Sequence, residues 1–373
     1  MISKPVKKKT EKKPGVGKPS SRKEVLNTMV DDINHKYGTN AIMVGFPKAT
    51  KDTEEWYNVK RFSTSIPSFD IALGGGLPVG RYIEVQGAFS ACKSTIVYNT
   101  IREFQKEFDM PVLLADAERT FTAEYGESLG IDSSLIYYNP SAGLEETTQM
   151  ILDIMDDDSV KMAVIDSIEA LVPTKEYDKN MQDTSQLGIK QKLLSEFFRK
   201  FQAKNNRLFR EGKMPFTLVG INQLRDKISF MGGDFAPGGR AKDFYQSICV
   251  KLRKGDNIVE NVRGKKVPVG KTIHFNVSKN KTFPAGRDGE FDIYLSKNQA
   301  GIPVGHCDKA LSIIIESINF GLIQRKGAYY SLETEPDIKF QGKDKLLEYL
   351  SEHPDKIDAL TDEVNRIIRE GEL

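Results

Sequence analysis

The sequence predicts an α/β fold built on a mostly parallel central sheet, with one helix ahead of it and a small α/β lobe behind. Two observations carry this expectation. From about Val59 onward, short β-rich apolar runs alternate with helical stretches, the pattern of parallel strands joined by right-handed helical crossovers. Between the first strong strand and the helix that follows stands "GAFSACKST", residues 87–95, which falls one glycine short of a phosphate-binding loop.

Taken in order, Met1–Lys23 carries eight Lys and one Arg against one Glu, so +8 of charge; against a total of +2, the rest of the chain is −6. With almost nothing to bury, this segment reads as disordered. It serves either as a solvated tail or as an arm along nucleic-acid phosphates. The folded part is not basic overall, so a nucleic-acid surface on it must be a local patch. Val25, Leu26, Met29, Ile33 and Tyr37 then recur near helical spacing before Gly38. They predict one amphipathic helix whose apolar face meets either its own core or a neighbouring subunit.

"RYIEVQG", "MPVLLADAE", "VKMAVIDS" and "FTLVGINQ" are nearly continuous in apolar residues, as strands buried on both faces are. "STIVYNTIREFQKEF" and "LEETTQMILDIMDD" read as the helices between them. "DFYQSICVKLRKG", "KTIHFNVSKNKT" and "GEFDIYLS" read as hairpin-type strands that extend the sheet, and the chain after about Gly301 suits the small lobe. At 39% hydrophobic and 28% charged the composition is that of a soluble globular protein. No apolar run approaches the ~20 residues of a membrane span, and the N-terminus shows no hydrophobic signal core. Cys92, Cys249 and Cys307 are far apart, without pairing or zinc spacing, which fits a reducing cytoplasm.

The strand–loop–helix context makes the near-match meaningful. Gly87, Ala88, Phe89, Ser90, Ala91 and Cys92 would wrap phosphates with backbone N–H groups at the start of the helix. Lys93 would reach the outer phosphates, and the Ser94 hydroxyl, followed by Thr95, would ligate Mg²⁺. Asp166 ends an apolar strand at the carboxyl edge of the sheet and suits the acidic partner of that metal. Glu118 follows another buried strand and could polarise the attacking water; Asp116 competes for this role on chemistry alone. Asn222 and Gln223 end a fourth strand, where an amide can sense a γ-phosphate. Cys92 stands where glycine is favoured, because the backbone there needs positive φ. A Cβ at such a position costs roughly 1–2 kcal/mol, a penalty short of abolition. A helix N-terminus also favours a thiolate at Cys92, against the plainer reading of a buried, inert thiol.

On "FSTSIPSFDIALGGGLPVGRYIEVQG", the loop itself, "DAERTFTAEYGESLGID", "VIDSIEALVPTKE", "INQLRDKI", "GGRAKDFY" and "VSKNK", the chain resembles the bacterial RecA family of recombinases from about Glu24 to its C-terminus. Beyond the disordered basic tail over 1–23, the resemblance implies an N-terminal helix and oligomerisation segment over 24–58, a RecA-like P-loop ATPase core with DNA-binding loops over 59–299, and a small C-terminal domain over 300–373. It chooses Glu118 over Asp116 as the catalytic glutamate, with Lys93 and Gln223 as its partners in ATP turnover. Gln223 is the amide that couples γ-phosphate to DNA. Tyr125 falls where the family stacks an aromatic ring on adenine. Lys279 and Lys281 match lysines that reach ATP from the adjacent subunit; read alone they are strand-edge charges. Phe244 matches an interface aromatic; as a bare sequence feature it reads as core.

Two long polar segments match the family's DNA-binding loops, "EYDKNMQDTSQLGIKQK" and "RDKISFMGGDFAPGGR". In the second, Arg225, Lys227 and Arg240 would contact phosphates and Ile228, Phe230 or Met231 would wedge between stacked bases, with Gly238 and Gly239 in the same DNA-binding set. Lys192, Arg199 and Lys200 follow the first loop, either as further phosphate contacts or as a solvated helix face. The departures are Cys92, Phe89 in place of an acidic residue, Arg119 in place of a histidine, a shorter second loop, an added basic tail and a missing acidic C-terminal tail. Relaxed phosphate loops also occur in phage-encoded recombinases of this superfamily, which points to a phage or other mobile element. The resemblance thus implies an ATP- and Mg²⁺-dependent recombinase that forms helical homo-oligomeric filaments on single-stranded DNA. It would pair that strand with double-stranded DNA, largely independently of sequence, in recombination, repair and the SOS response. The rival readings are a related helicase or recombination mediator, and a DNA-coating protein that has lost hydrolysis.

Overall fold

Strands buried on both faces are mostly apolar along their length, and this shapes the centre of the molecule. The computed structural model describes residues 22–38, 41–42, 59–177, 188–226, 234–235 and 240–370. Along these, helix α1 (Arg22–Tyr37) is followed by α2 (Pro67–Leu73), β1 (Tyr82–Gly87), α3 (Lys93–Phe108), β2 (Val112–Asp116), α4 (Ala123–Ser128), β3 (Ile136–Asn139), α5 (Leu144–Ile154) and β4 (Met162–Asp166). Then come α6 (Ile189–Arg210), β5 (Thr217–Gln223), α7 (Arg240–Tyr245), β6 (Ile248–Val262), β7 (Lys265–Asn280) and β8 (Asp288–Tyr294).

The central sheet has eight strands in the order β8-β7-β6-β1-β5-β4-β2-β3. From β6 to β3 every neighbouring pair is parallel, while β6–β7 and β7–β8 are antiparallel. Alternation along each strand splits the core in two. On one side Val112, Leu114, Val164, Val219 and Ile221 pack with Ile96, Val97, Ile101 and Phe104 of α3. On the other, Leu113, Ala115, Ala163, Ile165 and Leu218 pack with Leu152 of α5 and Leu194, Phe198 and Phe201 of α6. Every crossover helix therefore lies on a face, and the carboxyl ends of β1, β2, β4 and β5 are left at one edge. That edge is the site.

The small lobe is a three-stranded antiparallel sheet, β9 (Ile323–Lys326), β10 (Tyr329–Leu332) and β11 (Glu335–Gln341), with α8 (Lys309–Asn319), α9 (Lys343–Glu352) and α10 (Pro354–Glu370). It has its own core of Ile313, Ile314, Ile323, Leu332, Leu346 and Leu350. Val364 and Ile368 of α10 reach back to Ile71 of α2.

Two expectations about elements need correction. "DFYQSICVKLRKG" is not one strand: Asp243–Tyr245 close α7, and β6 begins at Ile248 and runs parallel to β1. The chain stays helical there because Lys242 is pinned in the interior by an ion pair at 2.9 Å to Glu84, a distant partner that local pattern does not show. The sequence reading also missed β3. As an edge strand it buries only Asn139, so it has no apolar run to betray it. In α1, Val25, Leu26, Met29 and Tyr37 are exposed to solvent in the single chain. Among the described residues no helix is long and apolar enough to cross a membrane.

Candidate nucleotide site

The site starts from β1, whose six residues are all buried. At its end, a Cβ on Gly87 would sit 2.9 Å from the Leu252 carbonyl oxygen of β6, so the loop can leave the sheet here only from a glycine. Residues 88–92 then turn into α3. Ala91 is buried, Phe89 is 86% exposed, and Ser90 adopts φ 61°. Cys92 caps the helix at φ 54°, ψ 27°, the left-handed conformation for which glycine is favoured. The chain thus keeps the loop geometry and carries the steric penalty, roughly 1–2 kcal/mol. The Cys92 side chain packs against the core cluster. Burial pushes its thiol up, outweighing the opposing pull of Lys271 and Lys93, so the inert-thiol reading is the one its surroundings favour. Cys92→Gly is expected to hold or raise ATP affinity, by up to about 30-fold, as that strain is relieved. A large fall in affinity by titration calorimetry would show that the loop works in another geometry.

Lys93 opens α3, and its Nζ donates to the Ala88 carbonyl at 2.9 Å. Burial lowers its pKa, opposed by the carboxylates of Asp166 and Glu118. Asp166 is 2% exposed. It accepts hydrogen bonds from the Tyr98 hydroxyl at 2.9 Å and from the Ser94 hydroxyl. Its pKa is raised to about 6, chiefly by burial, with the two hydroxyls opposing the rise and Glu118 and Asp116 adding to it. A carboxylate in this position gains from a cation. Among the described residues no three acidic, histidine or cysteine side chains gather to hold a metal alone. One hydroxyl and one carboxylate do fit Mg²⁺, which keeps several waters and takes other ligands from phosphate oxygens.

Asp116 and Glu118 are separated by burial. Asp116 is fully buried, and its oxygens accept from Thr120 N at 3.2 Å, Phe121 N at 2.9 Å and the Tyr138 hydroxyl at 3.1 Å. It braces the turn after β2. Glu118 is exposed; its Oε1 accepts from Ser167 Oγ at 2.5 Å and Gln223 Nε2 at 3.3 Å. Of the two amides ending β5, only Gln223 meets Glu118. Asn222 points to the other face of the sheet, fully buried, and donates to Glu84 Oε1 at 3.0 Å. Tyr125 is half-buried on α4, with its hydroxyl 2.8 Å from Thr95 Oγ1 and its ring edge-on to Tyr98. It therefore lies beside the first turn of α3, the helix that the loop begins. Tyr98 and Ser167 were missed from sequence. Tyr98 could have been found, since it lies four residues after Ser94 on the same helix face.

Lys279 and Lys281 lie elsewhere. Lys279 pairs with Cys249, which pairs with Glu84, whereas Gly87 pairs with Leu252. The lysines are therefore displaced toward the amino edge of the sheet, away from Lys93 of their own chain. Lys279 Nζ donates to the Asp243 carbonyl, and Lys281 Nζ to the Phe244 carbonyl at 2.9 Å while lying over its ring. Phe244 is 72% exposed and so is not a core residue. Of the DNA-contact candidates, Lys227, Ile228, Phe230, Met231, Gly238 and Gly239 lie outside the described residues, as do residues 178–187 of the first loop. Arg225 opens a two-residue strand paired with Asp234–Phe235, and Arg240 opens α7. Lys192, Arg199 and Lys200 are exposed on α6, where Lys200 pairs with Glu196 at 2.7 Å.

A parallel sheet whose carboxyl edge gathers a glycine-led loop, a helix-initial lysine and a buried aspartate defines the phosphate-loop class of α/β proteins. Comparison with known proteins gives the family. A model of the RecA N-terminal domain matches residues 24–300, and one of the RecA C-terminal domain matches residues 312–369. Proteins named RecA from Trichormus variabilis, Synechococcus elongatus and Aquifex aeolicus are 31%, 33% and 30% identical to this chain. The matches span 94%, 90% and 94% of it and 91%, 86% and 94% of those proteins. The chain belongs to the RecA family.

Proposed function

We propose that the protein is a DNA-dependent ATPase that assembles as a helical filament on single-stranded DNA and catalyses strand exchange with a homologous duplex. The observation that carries this reading is the contact between Gln223 and Glu118. Gln223 ends the strand that leads into the segment resembling a DNA-binding loop, and Glu118 is the exposed carboxylate beside Lys93 and Asp166. One hydrogen bond therefore joins the hydrolytic group to the chain that would grip DNA. Family membership supports the same reading.

In this reading the loop backbone, Lys93 and Ser94 hold ATP, and Tyr125 flanks its base. Ser94 and Asp166 would hold Mg²⁺, which when bound neutralises charge on the phosphates. Glu118 accepts the proton of the attacking water, and Ser167 keeps its carboxylate oriented. Gln223 exchanges Glu118 for a γ-phosphate, so the segment after it differs between the two states. Lys279 and Lys281 face a neighbouring subunit's nucleotide, and Phe244 and the exposed apolar residues of α1 face the same neighbour or the one beyond. Backbone charge and base stacking carry little sequence code, so DNA binding is largely sequence-independent.

The test is steady-state ATP hydrolysis with and without single-stranded DNA, joined to electron microscopy with a non-hydrolysable ATP analogue. Stimulated turnover, regular helical filaments and ATP-driven exchange between homologous DNAs are expected. Filaments without turnover would reduce the protein to a DNA coat, and unwinding of a forked duplex without exchange would make it a helicase.

A further inference from the structure

The most unusual group in the interior is an ammonium. Lys242 is fully buried on α7 and donates to Glu84 Oε1 at 2.9 Å and to Asp243 Oδ1 at 2.8 Å. Glu84 is equally buried in the middle of β1, and it also accepts from Tyr82, Gln86 and Asn222 at 2.9, 2.9 and 3.0 Å. One carboxylate thus joins three elements. They are β1, which becomes the phosphate loop three residues later; β5, through the residue before Gln223; and α7. Burying such a pair is costly and is no efficient route to stability, so its position asks for another use.

That use follows from what α7 holds. Its six residues are too few to form a stable helix alone, and its last carbonyls receive Lys279 and Lys281. Whatever places α7 therefore places both lysines and the exposed ring of Phe244. We infer that Lys242 is a positioning residue: by docking on Glu84 it sets α7, and with it Lys279, Lys281 and Phe244, at a defined place relative to the strand carrying the chain's own phosphate loop. This rests on the reading that the two lysines complete a neighbour's nucleotide site. Each subunit's own loop strand and its hand on the next nucleotide would then be parts of one rigid unit.

The experiment uses the full-length protein on single-stranded DNA and reads the apparent KM for ATP, the Hill coefficient and kcat, with thermal melting of the free protein alongside. The informative variant is the double substitution Glu84→Gln/Lys242→Gln, which removes the tether without leaving a lone buried charge. Stacking of Tyr245 on Phe198 still anchors α7 in it. A rise in KM of at least about fivefold, a Hill coefficient falling toward unity, and recovery of both in Lys242→Arg are expected. A purely structural pair would lower the melting temperature and the active fraction but leave KM and the Hill coefficient as in the wild type, which overturns the inference. A double variant that does not fold overturns it too, since the pair would then be a requirement of the core. Lys281→Ala separates the two levels. If it raises KM while the double variant does not, only the positioning role fails; if it leaves KM unchanged, the shared-site reading fails, and the inference with it.

Discussion

Lys93→Ala is expected to cut DNA-stimulated ATP turnover by at least about 100-fold, the scale on which one charge-stabilising group acts in a closed site. The reason lies in what surrounds the side chain. Lys93 is half-buried, its one hydrogen bond among the described residues is to the Ala88 carbonyl, and it stands between the loop and the carboxylates of Asp166 and Glu118. Without it, three phosphates and two carboxylates would meet with one fewer positive charge among them. The same isolation limits the structural damage. Among the described residues the ammonium holds only a loop carbonyl, so the melting temperature of the free protein should stay within a few degrees of the wild type. Turnover undiminished by this substitution would mean that hydrolysis occurs somewhere other than the carboxyl edge of the sheet.

Glu118→Gln is expected to slow hydrolysis by about 10²–10⁴-fold, the usual contribution of a general base, while ATP and DNA binding remain. Glutamine preserves the shape of the contact, because its amide oxygen still accepts from Ser167 and Gln223. It loses only the capacity to take a proton. Single-turnover hydrolysis measured beside nucleotide and DNA titrations separates these effects. Loss of binding instead of turnover would contradict the assignment and return Glu118 to a structural role. The matching substitution Asp116→Asn should behave differently. Two backbone N–H groups and the Tyr138 hydroxyl converge on Asp116, so its loss is expected to appear in stability before chemistry.

These paired outcomes mark the boundary between what local pattern reveals and what it leaves open. Gly87, Lys93, Ser94 and Asp166 were legible because their signals are contiguous: an apolar strand, a turn, a helix start, and a carboxylate at a strand end. Even the left-handed backbone at Cys92 could be anticipated, since it follows from the loop's own geometry. The fold class was legible for a related reason, as the inner parallel strands announce themselves by nearly continuous apolar runs. Where that rule weakens the reading fails. Edge strand β3 shows its two tyrosines to solvent, and α7 looked like strand because its decisive contact is out of sight.

By itself, the sequence determined the alternation that builds the parallel sheet and the residues that meet at its carboxyl edge, because both depend on side chains a few positions apart. Where local pattern left two like groups open, the resemblance chose between them, and only the tertiary structure supplied the contacts that separate them. Ser167 reaches Glu118 across 49 residues, Asn222 reaches Glu84 across 138, and Lys242 reaches Glu84 across 158. Burial and hydrogen-bond partners are set by such distant neighbours, so by local pattern alone Asp116 and Glu118, or Asn222 and Gln223, look alike.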